Sequence, residues 1–428
     1  MVIKIRKRTQ NKVLIWILFT GTFFLAPLIQ FLHFPNFTKY FLDITWLLLL
    51  VTMITKKKRM ICKEAKIIKN FIILFFMMSF IVYLFNYQSI LYYLWSFRNN
   101  FRVYVIFFAA IYYFDKNDIE DVFKFLNITF YVNAMVMLIQ FFVFGYKQDN
   151  LGGIFGIESG CNAYINIFFC IIFVIDYIGY FQKKIKLHTF ITRSCMLLIL
   201  SGMAELKFFY IEFVLLTIVG FFVAKGQIKK LMISICGILV LIIGLDVIHK
   251  VFPNIEMGVT QLVDYATSTK GYTSSGDLNR LFFFSQVNEM FLTSPLKRIF
   301  GLGLGNCDYA TGIGFLISPF AEMYQDRLHY GWMSTAFMYL EAGYIGLLFL
   351  FGFFVIVGFF CYIEKNKNLN SQYNYYCKMG TLFALVAIMN GMYNISLRIE
   401  SGYIMYLLLS IPFVYKSRVI EQEKIDVK

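Results

Sequence analysis

Long apolar runs, separated by short polar segments, recur along almost the whole chain. A helix that crosses a bilayer needs roughly 20 consecutive apolar residues. The pattern therefore predicts an all-α, polytopic integral membrane protein with about 12 transmembrane helices. Three of the runs are short and cover 102–114, 189–202 and 380–393. The other predicted spans cover 13–31, 40–54, 70–85, 125–145, 162–180, 208–223, 231–247, 344–361 and 402–414.

One polar segment is much longer than the others and lies late in the chain, at residues 250–343. It predicts a large extracytoplasmic loop that contains short helices. Within it, the stretch DLNRLFFFSQVNEMF has the spacing of an amphipathic helix, and Ser294-Pro295 predicts a turn. The chain is thus divided into helices one to nine (1–249), the loop (250–343), and the last three helices with a cytoplasmic C-terminus (344–428).

The composition agrees with a membrane protein, because 59% of the residues are hydrophobic and only 15% are charged. The formal charge of +15 is explained by the positive-inside rule, since most of the 40 lysines and arginines lie in segments that would face the cytoplasm. Both termini are then cytoplasmic, and no nucleic-acid partner is needed to explain the charge.

Cysteines and missing motifs narrow the chemistry further. The eight cysteines form no C-x-x-C pair, and a disulfide between Cys161 and Cys307 stays open. The regions assigned outside contain no D-x-D motif and no histidine cluster, and the chain has no P-loop and no G-x-S-x-G elbow. The sequence therefore predicts a metal-independent activity without a cofactor.

The long loop carries most of the candidate catalytic groups. Arg280 is either a headgroup-facing arginine or an anion clamp, because a guanidinium matches phosphate oxygens bidentately. Arg327 and His329 form a polar patch, in which the histidine is either an ordinary interfacial residue or a general acid/base. Glu341 lies in an apolar run, where an ionisable group is costly and usually functional.

The glycine cluster Gly301, Gly303 and Gly305 follows no strand, which excludes a dinucleotide-binding fingerprint. Two interpretations remain. The glycines could let backbone N–H groups approach a phosphate or a sugar, or they could simply form a loop that returns to the membrane.

Further candidates lie in the short segments assigned outside. Glu205 and Lys207 occupy a short turn, either as a local ion pair or as a cationic phosphate site with a carboxylate neighbour. Arg98 and Arg102 precede the fourth apolar run, and Arg398 lies in the last turn. These five residues, together with Arg327 of the long loop, predict substrate-binding groups on the extracytoplasmic side.

The order of these motifs resembles that of the bacterial O-antigen ligase/polymerase superfamily. Its pattern is an arginine, a proline followed by spaced glycines, and a histidine before a helix with E-x-G-x-x-G. The matching positions are Arg280, Pro295, Gly301, Gly303, Gly305, His329, Glu341, Gly343 and Gly346. His329 and Glu341 are farther apart than is usual in the family, which favours a polymerase over a ligase.

The resemblance implies a polysaccharide polymerase in the bacterial inner membrane. Such an enzyme joins oligosaccharide repeat units carried on polyprenyl pyrophosphate into O-antigen or capsule, and other polysaccharide-assembly proteins are possible partners. Arg280 and Lys207 would bind the pyrophosphate, helped by Arg98, Arg102 and Arg398, and Glu341 or His329 would be the base or its orienter. The alternatives are a ligase that transfers finished polymer to an acceptor, and a flippase or transporter of the lipid-linked sugar.

Overall fold

The computed structural model describes residues 9–56, 58–86, 89–158, 160–224, 278, 283–310, 313–367 and 370–426, and every regular element in these ranges is helical. The first eight helices are α1 (Gln10–Ala26), α2 (Tyr40–Thr55), α3 (Lys63–Asn86), α4 (Ile90–Tyr113), α5 (Lys116–Phe142), α6 (Cys161–Phe181), α7 (Leu187–Met203) and α8 (Lys207–Ala224). Three short helices follow, α9 (Phe283–Met290), α10 (Pro295–Phe300) and α11 (Pro319–Leu328). The chain continues through α12 (Ser334–Glu364), α13 (Ser371–Tyr393) and α14 (Ser401–Asp426).

Eight helices in the described part of the chain are long and apolar enough to cross a membrane, against the about 12 predicted, and this agrees with a helical membrane protein. Each predicted span coincides with a helix, except for that at 231–247, which lies outside the described residues. The short runs at 102–114 and 380–393 are the C-terminal parts of α4 and α13. The N-terminal halves of both helices contain polar residues, so the apolar pattern predicted only the C-terminal part of each helix.

Helix α12 begins at Ser334, ahead of the start predicted at 344, and it is broken at Gly343. Gly343 has φ 60° and ψ −153°, a conformation that a side chain would strain. A Cβ atom at Gly343 would also collide with the backbone of Arg298 and Ile299 in α10. The kink therefore allows α10 to pack directly against the first turns of α12.

The core of the bundle is aromatic. Tyr406 of α14 stacks on Phe353 of α12 at 5.1 Å between ring centroids, and Tyr104 of α4 packs edge-on against both rings. In contrast, large apolar side chains on α2 and α3 are exposed, including Leu48 and Phe80. Such a surface is expected where helices face lipid tails.

Loops and helix ends meet at two polar ends of the bundle. At one end, which we call the Asp308 end, Asn99 of α4 contacts Asp308 and Ser334 of α12 contacts Asn394. At the other, the Glu421 end, Arg59 contacts both Glu421 and Asp115. The first helix begins and the last helix ends at the Glu421 end, and the cytoplasmic placement of this end stays a prediction.

Candidate functional site

A cavity of about 210 Å³ opens at the Asp308 end. Its wall combines cations, carboxylates and aromatic rings from α2, α4, α12, the loop after α10 and the loop before α14. The lining residues that matter below are Trp95, Arg98, Asn99, Arg102, Asp308, Tyr309, Phe337, Arg398 and Glu400. The structure thus brings together three of the arginines that the sequence predicted to bind substrate.

Arg98 and Arg102 lie one helical turn apart on α4, so both point toward the same side. Arg98 pairs with Asp43 of α2, and its guanidinium lies 4.7 Å from the ring centroid of Trp95. Arg102 is buried, with Nη1 3.2 Å from the Glu400 carboxylate and Nη2 2.9 Å from the carbonyl oxygen of Arg398. Arg102 therefore holds the segment that carries the third arginine.

Arg398 lies in the loop between α13 and α14 and is only 7% exposed. Its guanidinium carbon is 3.4 Å from the ring centroid of Phe337, and its nearest carboxylate, Asp308, is 3.8 Å away. Its side chain makes no hydrogen bond to another described residue, and its Nε is buried without a partner. Burial lowers the pKa of Arg398, although Asp308 and Glu341 act in the opposite direction.

Glu400 is the more firmly held carboxylate of the cavity. Tyr164 of α6 donates a hydrogen bond to it at 2.7 Å, and Arg102 pairs with its other oxygen. Burial alone would raise the pKa of Glu400, but Arg102 and the Tyr164 hydroxyl outweigh burial and lower it to about 2. This carboxylate remains ionised and bound to its partners at neutral pH.

The glycine cluster docks on the kink of α12. The N–H groups of Leu302 and Gly303 donate to the carbonyls of Leu340 and Glu341, at 2.8 and 2.9 Å. In a regular helix these carbonyls would accept bonds from the next turn, but the break at Gly343 leaves them free. The structure therefore gives these backbone N–H groups internal partners rather than a free surface for a phosphate.

Glu341 fastens the same turn through its side chain. It is fully buried, and its Oε1 accepts the N–H groups of Gly305 and Cys307 at 2.8 and 3.3 Å, while Oε2 accepts the Ser96 hydroxyl at 2.6 Å. Glu341 does not line the cavity but fixes the turn that presents Asp308. Its role as base or orienter stays a prediction, and the geometry favours orientation.

The other candidates of the long loop lie elsewhere. His329 ends α11 in a left-handed conformation and stacks on Trp332 at 4.1 Å between centroids, and Arg327 is exposed on the last turn of that helix. Neither residue lines the cavity. Arg280, together with most of 250–282, lies outside the described residues.

Glu205 and Lys207 are also separate from the cavity. Glu205 accepts a hydrogen bond from Gln148 at 2.8 Å, in the turn between α7 and α8, and Lys207 begins α8. The backbone N–H of Lys207 donates to the carbonyl oxygen of Glu205 at 2.8 Å. Their proposed contact with substrate is thus not part of the same cluster as the three arginines.

Several residues of the site were not singled out from the sequence. Asp43 and Asp308 were overlooked because isolated acidic residues at helix starts and in loops are common. Trp95 is placed one turn before Arg98, and this spacing was the only signal that could have suggested it. Tyr309 was hidden among the chain's many tyrosines, although its carbonyl accepts the Trp95 indole N–H at 3.4 Å.

Within the described part of the chain, no three His, Cys, Asp or Glu side chains are grouped so as to hold a metal ion. Cys161 and Cys307 are both buried free thiols, so the disulfide between them is not formed. No family model matches the chain, and no curated protein matches it.

Proposed function

We propose that the chain is a membrane glycosyltransferase that joins polyprenyl-pyrophosphate-linked oligosaccharide units into a surface polysaccharide. The pyrophosphate would bind in the cavity at the Asp308 end, which faces the extracytoplasmic side in this proposal. The proposal combines the resemblance of the motifs with the chemistry of the cavity wall.

The observation that carries the proposal is Arg398. A buried guanidinium whose donors are left unbound costs free energy unless a ligand or water satisfies them. Here the side chain lies against Phe337 at the wall of a cavity, with its nearest carboxylate beyond hydrogen-bond distance. Diphosphate oxygens are suited to take up these donors, because charge-assisted bonds to phosphate are strong.

Arg98 and Arg102 support the same role from the facing helix. Arginines placed in a partly dehydrated site stabilise the charge that develops on a leaving pyrophosphate. Both arginines are also paired with Asp43 or Glu400, so they are held in place before the substrate binds. The exposed apolar side chains of α2 and α3 would contact the isoprenoid tail alongside ordinary lipid.

The decisive test is Arg398→Ala in a strain whose polysaccharide depends on this gene. We expect lipid-linked single repeat units to accumulate and long polymer to disappear, as judged by gel analysis of extracted glycolipids. Arg280→Ala should give the same phenotype if that residue is a pyrophosphate ligand. Arg418→Ala is the matched control, because Arg418 is equally buried but lies at the Glu421 end.

Other outcomes would point to the alternatives. Long chains that are made but not attached to an acceptor would favour a ligase. Single units confined to the cytoplasmic leaflet would favour a flippase. Normal polymer length in the Arg398→Ala strain, with the variant present at wild-type level, would refute the proposed role of the cavity.

A further inference from the structure

Asp308 is the acidic residue that the turn after α10 brings to the cavity wall. Its Oδ1 accepts the N–H of Tyr309 at 2.9 Å, and its Oδ2 accepts Asn99 Nδ2 at 2.8 Å. Arg398 approaches Oδ2 to 3.8 Å, too far for a hydrogen bond. The carboxylate therefore has lone pairs left for a ligand, and it borders on the cation that would hold the pyrophosphate.

The turn that holds Asp308 is unusually well fixed. Glu341 accepts two N–H groups from the residues just before Asp308, Gly305 and Cys307, and the Tyr330 hydroxyl donates to the Cys307 carbonyl at 2.7 Å. A Cβ at Gly305 would collide with the backbone of Tyr92 in α4, so the turn packs tightly on that helix. Such support is what a catalytic group requires, because errors of an ångström are costly.

The competing carboxylates are less suitable as bases. Glu400 accepts Tyr164 and pairs with Arg102, and its pKa of about 2 makes it a weak proton acceptor. Glu341 is fully buried, both of its oxygens already accept hydrogen bonds, and it does not line the cavity. His329, which the resemblance implies as a base alongside Glu341, stacks on Trp332 outside the cavity wall.

We propose that Asp308 is the general base that activates the acceptor sugar hydroxyl, which rests on the proposed function. Asn99 positions Asp308. Its amide nitrogen donates to the Asp308 carboxylate, and its amide oxygen accepts a hydrogen bond from the neighbouring Arg98. Base and pyrophosphate ligands are thereby joined in one network across α4 and the loop.

The step balances without a further reactant. The acceptor O–H bond breaks and its proton passes to an Asp308 oxygen, while the acceptor oxygen forms a bond to the anomeric carbon of the donor. The bond from that carbon to the phosphate oxygen breaks, and its electron pair leaves with the polyprenyl pyrophosphate. The proton on Asp308 then passes to water or to the departing diphosphate.

The test uses the full chain in proteoliposomes supplied with lipid-linked repeat units extracted from the host strain. We expect Asp308→Asn to lower the rate of polymer formation at least about 100-fold, the usual contribution of a general base. Asp308→Ala should be equally slow but should regain activity when formate is added, since a free carboxylate can occupy the vacated space. Asp326→Asn, an exposed carboxylate on α11, should keep wild-type activity.

Formate rescue separates a base from a purely structural residue, and retention of the lipid-linked substrate by Asp308→Asn shows that the variant is folded. Near-wild-type activity of Asp308→Asn, or an Asp308→Ala variant that formate does not rescue, would overturn the assignment. If Asp308→Asn is active while Arg398→Ala is not, the assignment of Asp308 as the general base is wrong, but the proposed function stands. If the wild-type protein makes no polymer, the proposed function itself fails.

Discussion

The two polar ends of the bundle use the same residue types in different ways. At the Glu421 end, Arg59 donates to Glu421 and Asp115, and Lys12 reaches Asp115 and Asp118 at 2.5 and 2.6 Å. At the Asp308 end, Arg398 is as buried as any of these groups, but its side chain makes no hydrogen bond to a described residue. The first end pairs its cations internally, whereas the second leaves one available for a ligand.

Cavity size does not explain the difference, because clefts of about 550 and 470 Å³ border Arg59 and Asp115 at the Glu421 end. The informative property is the hydrogen-bond state of the buried cation. Arg418, at the Glu421 end, donates to Glu421 at 2.6 Å and to the carbonyl of Tyr112 at 3.2 Å. The proposed anion site is therefore distinguished by a guanidinium whose side chain makes no hydrogen bond to a described residue, rather than by the volume in front of it.

The largest effect is expected from removing a buried ion pair. Arg102→Ala should destabilise the protein by about 3–5 kcal/mol, because it removes the buried cation that pairs with Glu400, whose side chain is only 19% exposed. It should also abolish polymer formation. Arg59→Ala should cost less than about 1 kcal/mol, since its side chain is 38% exposed.

Thermal unfolding of the detergent-solubilised variants measures both values. Equal destabilisation by Arg102→Ala and Arg59→Ala would mean that the two ends are energetically alike. Loss of polymer in Arg59→Ala, without loss of stability, would indicate that the functional site lies at the Glu421 end instead.

A smaller effect is expected at the kink of α12. Gly343→Ala should cost about 1–3 kcal/mol, because the left-handed conformation strains any side chain and the Cβ meets α10. The turn that carries Asp308 docks on this kink, so activity should fall as well. The control is Gly314→Ala, where a Cβ meets no atom within 4 Å. A Gly343→Ala variant with wild-type unfolding temperature would show that α10 does not depend on the kink.

The smallest effect concerns the pH dependence of stability. The pKa of Glu400 is lowered from 4.5 to about 2, so its contribution is complete above its ordinary value and is lost as the pH falls through about 2. Burial raises the pKa of Asp115, but Lys12 and Arg59 outweigh burial and lower it below its ordinary value. The stabilising contribution of Asp115 is therefore also lost as the pH falls through its lowered pKa. Glu400→Gln and Asp115→Asn should each flatten the acid-unfolding curve, measured by circular dichroism.

Only Glu400→Gln should also reduce polymer formation at neutral pH, because only Glu400 lies at the cavity. If Asp115→Asn lowers activity equally, the functional distinction between the two ends is wrong. Acid-unfolding curves identical to that of the wild type would show that neither carboxylate is held by its partners.

Much of the fold could be read from the hydrophobic pattern, but the site could be read only in part. The apolar runs located α1, α2 and α6 within a few residues, because lipid demands long apolar helices. The pattern misjudged α12, since Ser334 to Gly343 includes polar residues and a break that look like loop. Arg98, Arg102 and Arg398 were chosen as charges in apolar surroundings, and the structure places them together.

The sequence by itself determined that this is a helical membrane protein and which cations would be unusual in it, because hydropathy and charge are local properties. Only the tertiary structure decided which of those cations share a cavity, since Arg102 and Arg398 are far apart in the chain and meet through the packing of α4 on α14. It also decided that Glu341 holds a turn and that Asp308 lines the cavity. Hydrogen-bond partners depend on distances between helices, which no local pattern encodes.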